Sequence, residues 1–144
     1  MKNLAVVILA LLAVALCTHG KVTRCSLAGK WKNDLGSNMT IDKVFKNGTF
    51  LGNYLTAVTA TNRSITVSPL VGTQQLTDLP TFGFTVQWNF SNSITVFTGQ
   101  CFQNNSGQPV LYTTWLLRSE TSNFQNNWSQ TRVGYNVFHK LEKK

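Results

Sequence analysis

Acidic side chains are nearly missing from this chain, which has five Asp and Glu against 13 Lys and Arg in 144 residues. Asp34, Asp42, Asp78, Glu120 and Glu142 are scattered at turns and termini, so no carboxylate pair stands ready for general acid–base work. Histidine is as scarce. His139 has no evident nucleophile partner, and with so few His and Cys no zinc-type cluster can form. The sequence is therefore not expected to be an enzyme, and neither a metal nor a cofactor is expected. Apolar runs long enough for a membrane span are lacking too, since the longest, Leu4–Leu16, falls short of the ~20 residues a bilayer needs.

That short run follows Lys2 and precedes the small, polar stretch Cys17-Thr18-His19-Gly20, the layout of a secretory signal peptide over residues 1–20. Cleavage is expected near Gly20; the alternative, a retained anchor, is disfavoured by Lys21, Arg24 and the strand pattern that follows. Residues 21–144 suffice for one domain with a single core. Cys25 and Cys101 then remain, and in an oxidising route an isolated pair most simply forms one intramolecular disulfide. Their spacing of roughly 75 residues gives such a bridge about 4 kcal/mol in the chain-entropy account. The net charge of +8 comes from scarce acids and not from a basic block. Lys and Arg lie singly, so a nucleic-acid interface is not expected, although polyanions could be attracted without specificity. Asn-X-Ser/Thr acceptors at Asn38, Asn47, Asn62, Asn89, Asn104 and Asn127 agree with a secreted glycoprotein, and only exposed ones can carry sugar.

From Ser26 onward the chain alternates with period two, and no apolar repeat of helical spacing occurs. Eight strands are expected, at 27–35, 39–45, 49–58, 65–71, 82–90, 94–102, 109–117 and 131–141. Turn signals include Asn47-Gly48, Asn62-Arg63, Ser91-Asn92 and Ser106-Gly107. Consecutive short strands joined by tight hairpins favour an all-β, eight-stranded antiparallel up-and-down barrel, because closure removes exposed edges. A two-sheet sandwich is the alternative. Ser119–Gln130 reads as the longest strand-free interval and carries Trp128, a large apolar ring in a polar loop.

Trp31 would share a strand face with Asn33, Trp88 with Phe90, and Thr95 with Phe97. Ring faces interleaved with neutral hydrogen-bonding groups make a lining for a flat, uncharged ligand, at no cost of burying charge. Taken singly, Trp31, Trp88 and Trp115 read as core residues, and Thr56 and Thr95 as good strand formers. Asn33 and Ser37 taken alone equally suit a turn near Gly36. Asn136 is less easily explained, because Asn is depleted in strands.

The segments CSLAGKWKNDLGSNMTI (25–41), YLTAVTAT (54–61), TFGFTVQWNF (81–90), TVFTGQCF (95–102), TWLLRS (114–119) and TRVGYNVF (131–138) closely resemble the avidins, the secreted biotin-binding proteins. The likeness is collinear over nearly all of the mature chain. It implies a barrel closed at one end, biotin buried at the other, and a homotetramer built as a dimer of dimers. Carried over by position, it implies that Asn33, Ser37 and Tyr54 hold the ureido oxygen, Thr56 and Asn136 the ureido N–H groups, and Thr95 the ring sulfur. Trp88, Phe97 and Trp115 would box the rings, with Phe90 and Leu35 beside them. The carboxylate would lie near Thr59, Ala60, Thr61, Ser91 and Ser93, and Trp128 would cap a neighbouring subunit's site. Trp31 is expected at the closed end, with Lys140 where an Arg would commonly stack. Thr114, Val133 and Tyr135 depart from the compact apolar residues of one subunit contact, and sugar at Asn62 would crowd the mouth. The implied role is vitamin sequestration from microbes.

Overall fold

A computed structural model describes residues 24–142. The signal-peptide expectation for residues 1–20 lies outside them. The strands are β1 (Gly29–Asn33), β2 (Asn38–Val44), β3 (Thr49–Leu55), β4 (Ser68–Gln74), β5 (Thr81–Gln87), β6 (Ser93–Gln103), β7 (Pro109–Ser119) and β8 (Thr131–Lys140). Each pairs antiparallel with the next, and β8 returns to β1 to close the barrel. The sandwich alternative is thereby excluded.

Alternation decides what lies inside. In β3, Phe50, Gly52 and Tyr54 turn inward and Thr49, Leu51, Asn53 and Leu55 outward; in β5, Phe82, Phe84 and Val86 are buried. Facing rings fill the interior: Phe84 stacks on Phe97 at 4.6 Å between centroids, and Phe50 meets Phe84 edge-on at 6.4 Å. Turns fall where Asn and Gly foretold them. Asn47 accepts from the Thr49 N–H in the β2–β3 hairpin, and Asn104 accepts from Ser106 and Gln108 in the β6–β7 hairpin.

The fourth strand begins three positions later than expected, at Ser68 in place of Ile65. Ile65 and Val67 keep the alternation, but a strand needs a partner. The β3–β4 register ends at Tyr54↔Ser68, and just beyond it the Thr56 hydroxyl donates to the Val58 carbonyl and turns the chain away. Among the described residues the longest interval between strands is consequently 56–67. The other long connection, 120–130, contains a short 3-10 helix at Phe124–Ser129, capped by Asn123, whose side chain accepts from the Gln125 N–H.

One end of the barrel is sealed. Trp31 is fully buried, and its indole N–H donates to the Leu27 carbonyl at 2.8 Å. Lys140 places its ammonium 5.1 Å from the Trp31 ring centroid and donates to the Ser26 carbonyl at 2.9 Å. The lysine thus both covers the ring and ties down the segment passing beneath it. A Cys25–Cys101 disulfide joins that segment to β6.

Candidate functional site

The opposite end opens into a cavity of about 310 Å³, of the size that small-ligand sites take. Sixteen of the seventeen expected ligand residues line it: Asn33, Leu35, Ser37, Tyr54, Thr56, Thr59, Ala60, Thr61, Trp88, Phe90, Ser91, Ser93, Thr95, Phe97, Trp115 and Asn136. Trp128 does not. It stands on the 3-10 helix with 84% of its surface exposed in the single chain.

At the deep end, the protein's own hydrogen bonds fix which groups give protons and which accept them. Asn33 ends β1, and its Oδ1 accepts from the N–H groups of Leu35 (3.1 Å) and Ser37 (2.8 Å), closing the turn to β2. Gly36 makes that turn possible with φ of +87°, a conformation that side-chain-bearing residues avoid. With its oxygen committed, Asn33 presents Nδ2, which reaches the Tyr54 oxygen at 3.2 Å. Having accepted that bond, the Tyr54 hydroxyl keeps its proton for donation. Ser37 Oγ accepts from the Ala57 N–H at 3.0 Å and is likewise left with a proton to give. Three donors therefore converge.

Two other groups have the reverse polarity. The Thr56 hydroxyl spends its proton on the Val58 carbonyl at 2.8 Å and accepts from the Val58 N–H at 3.2 Å, which leaves one oxygen lone pair for a ligand. Asn136 donates Nδ2 to Asp34 Oδ1 at 2.8 Å, so its Oδ1 is the amide atom left for the cavity. Thr95, nearly fully buried, accepts from the Trp88 indole N–H at 2.8 Å and retains a proton for a weak acceptor. Burial pushes the Tyr54 hydroxyl well above the ordinary phenol range; the Ser37 hydroxyl opposes this and the Asp34 charge adds to it. Tyr54 is consequently a neutral donor at physiological pH.

Walls and mouth differ in kind. Tyr54 lies edge-on to Trp88 at 5.5 Å and stacks on Phe97 at 5.7 Å, while Trp88 tilts against Phe90 at 5.8 Å. Trp115 packs directly over Gly134 of β8, where a Cβ would fall 2.3 Å from its ring. At the mouth, the hydroxyls of Ser91 and Ser93 bond to each other at 2.6 Å, and those of Thr59 and Thr61 at 3.1 Å.

Val58, Leu117, Ser119 and Arg132 also line the cavity and were not among the expected residues. The signal for three of them was period two: Leu117 and Ser119 share the face of Trp115, and Arg132 that of Asn136. Arg132 supplies the single formal charge in the lining, at its outer end. Among the described residues no group of three or more His, Cys, Asp or Glu is placed to hold a metal ion. The six Asn acceptors are all exposed, although Asn89 donates its amide to the Val67 carbonyl and Asn127 accepts from Arg118.

The family model described as the Avidin family matches residues 21–141. Avidin of Gallus gallus is 55% identical over 138 residues, which cover 93% of this chain and 91% of that protein. The crystal structure of Xenavidin superposes with a TM-score of 0.81 at 55% identity, covering 83% of this chain and 100% of the other. The X-ray structure of a biotin binding protein from chicken gives 0.80 at 54%, with 83% and 98% covered. The match runs through every strand of the barrel and every wall of the cavity, and the chain belongs to the avidin family.

Proposed function

We propose that this protein is a secreted, non-enzymatic binder of free biotin. The observation that carries the reading is the polarity of the deep end: three donors, Asn33, Ser37 and Tyr54, beside two acceptors, Thr56 and Asn136. A cyclic urea is the complementary pattern, one carbonyl oxygen flanked by two N–H groups. Neutral donors around a carbonyl act as an oxyanion-type hole without a buried cation. Thr95 would meet the ring sulfur, and Trp88, Phe97 and Trp115 would enclose the fused rings, with Phe90 and Leu35 completing the wall. The carboxylate would sit at the mouth among Thr59, Ala60, Thr61, Ser91 and Ser93, where Arg132 adds favourable charge.

Each neutral hydrogen bond is worth only about 0.5–1.5 kcal/mol net. Tight binding must therefore come from groups already oriented before the ligand arrives, and the bonds described above provide that preorganisation.

Assembly as a homotetramer belongs to the same proposal. Trp128 and Phe124 stand 84% and 85% exposed on one short helix, and Val133 and Tyr135 are 66% and 76% exposed on β8. Apolar surface of that extent is typical of a subunit contact, and Trp128 would close a neighbour's cavity. Vitamin sequestration outside the cell is the role this binding would serve.

A titration tests the reading. Adding biotin to the purified protein should change tryptophan fluorescence until one equivalent per chain is bound, and native mass measurement should give four chains with four ligands. No fluorescence change, together with no retention on immobilised biotin, would reject it.

A further inference from the structure

We propose that Asp34 is a positioning residue that sets the hydrogen-bond polarity of Asn136, and through it the requirement for an N–H on the ligand. This rests on the biotin reading of the cavity and adds a residue that does not line it.

A primary amide presents two ends of similar shape and opposite hydrogen-bond character, so an unrestrained Asn at a pocket wall accepts or donates as its ligand demands. Asn136 is restrained. Only its NH2 can pair with a carboxylate, and it does so with Asp34 Oδ1 at 2.8 Å. The other side-chain atom, Oδ1, is thereby turned to the cavity that Asn136 lines.

Asp34 is itself held in place. Its Oδ1 also accepts from the Val137 N–H at 3.2 Å, and its own N–H donates to the Val137 carbonyl at 3.2 Å. These bonds extend the β1–β8 ladder one step beyond Asn33↔Phe138. The turn that orients Asn33 thus also orients Asn136, across 102 residues of sequence. One donor, Asn33, and one acceptor, Asn136, are oriented through adjacent residues of one turn.

Both side-chain bonds use a single carboxylate oxygen. An Asn at position 34 can place its carbonyl oxygen there and keep the lock, whereas Ala cannot. Acceptor geometry and charge are therefore separable by substitution.

The experiment compares biotin with the cyclic carbamate in which the ureido N–H facing Asn136 is replaced by a ring oxygen. With the wild-type chain the oxygen would face Asn136 Oδ1, and the preference for biotin should be on the order of 10⁴-fold, as for sites built around a missing hydrogen bond. In Asp34→Ala the amide can turn its NH2 to the carbamate oxygen, so the preference should fall by at least ~10-fold, with biotin weakened more than the carbamate. Asp34→Asn should keep the preference within ~3-fold of wild type. A merely structural role would weaken both ligands equally and leave their ratio unmoved; that result in Asp34→Ala overturns the proposal. If Asp34→Ala does not fold, Asp34→Ser, whose side chain is too short to reach Asn136, serves in its place. A wild-type chain that binds neither compound overturns the biotin reading itself.

Discussion

Gly134 lies directly beneath the Trp115 ring, across the β7–β8 pair in which the two residues face each other. A methyl group at position 134 would sit 2.3 Å from Cζ2 and 2.7 Å from Cε2 of the indole. The glycine is thus what allows a tryptophan to lie flat on the barrel wall at the cavity's edge. Gly134→Ala should force the ring away from the wall, at a cost of about 1–3 kcal/mol in stability. Biotin release should accelerate by ~10- to 100-fold. Thermal melting and competitive release of a labelled biotin, run side by side, check both parts.

Tyr54 makes alkaline stability a readout of the deep site. In the unfolded chain its hydroxyl ionises near pH 10, whereas burial holds the folded group protonated well above that value. Above about pH 10 the unfolded chain sheds a proton that the folded chain retains, so stability should decline as pH rises and be unaffected by this group at neutral pH. In Tyr54→Phe that component of the alkaline decline should be gone. Urea midpoints measured from pH 7 to 11 for both proteins test this.

Trp128 is expected to separate stability from affinity. With most of its surface exposed in a single chain, Trp128→Ala should change the stability of a subunit by no more than about 0.5 kcal/mol. Under the tetramer proposal it should nonetheless speed biotin release and weaken assembly. Native mass measurement and release kinetics would expose the opposite outcome, an unchanged tetramer with unchanged release.

The Cys25–Cys101 bridge fastens the segment that closes the barrel's far end. Replacing both cysteines by Ser should cost about 2–5 kcal/mol and lower the melting temperature. Because the bridge is remote from the cavity, stoichiometry with biotin should stay at one per chain in the folded fraction. Calorimetric titration below the lowered melting point checks that.

The barrel was legible in the sequence because inward and outward residues alternate strictly in strands such as Thr49–Leu55 and Thr81–Gln87. The cavity lining was legible through the avidin resemblance, whereas the residues alone had reached only a neutral, aromatic pocket. Where the β4 start was misplaced, the fault lay in pairing. Ile65 and Val67 satisfy a strand pattern, and only the diversion of the facing chain at Thr56 denies them a partner. Leu117 and Arg132 were within reach of simple alternation from Trp115 and Asn136. Asp34 was not. As one of five scattered acids it looked like an ordinary turn residue, and its partner lies 102 residues away. Sequence spacing carries no sign of which proton points where.

Closure of β1 on β8 also has a consequence for biosynthesis. Trp31 in β1 is in register with Lys140 in β8, far later in the chain. Until β8 has been made, β1 has only one neighbour and the Trp31 ring lacks its cover. The barrel can therefore close only once β8 has emerged, as expected where contacts are distant in sequence. Through that interval the emerging chain carries an open strand edge able to pair with another copy.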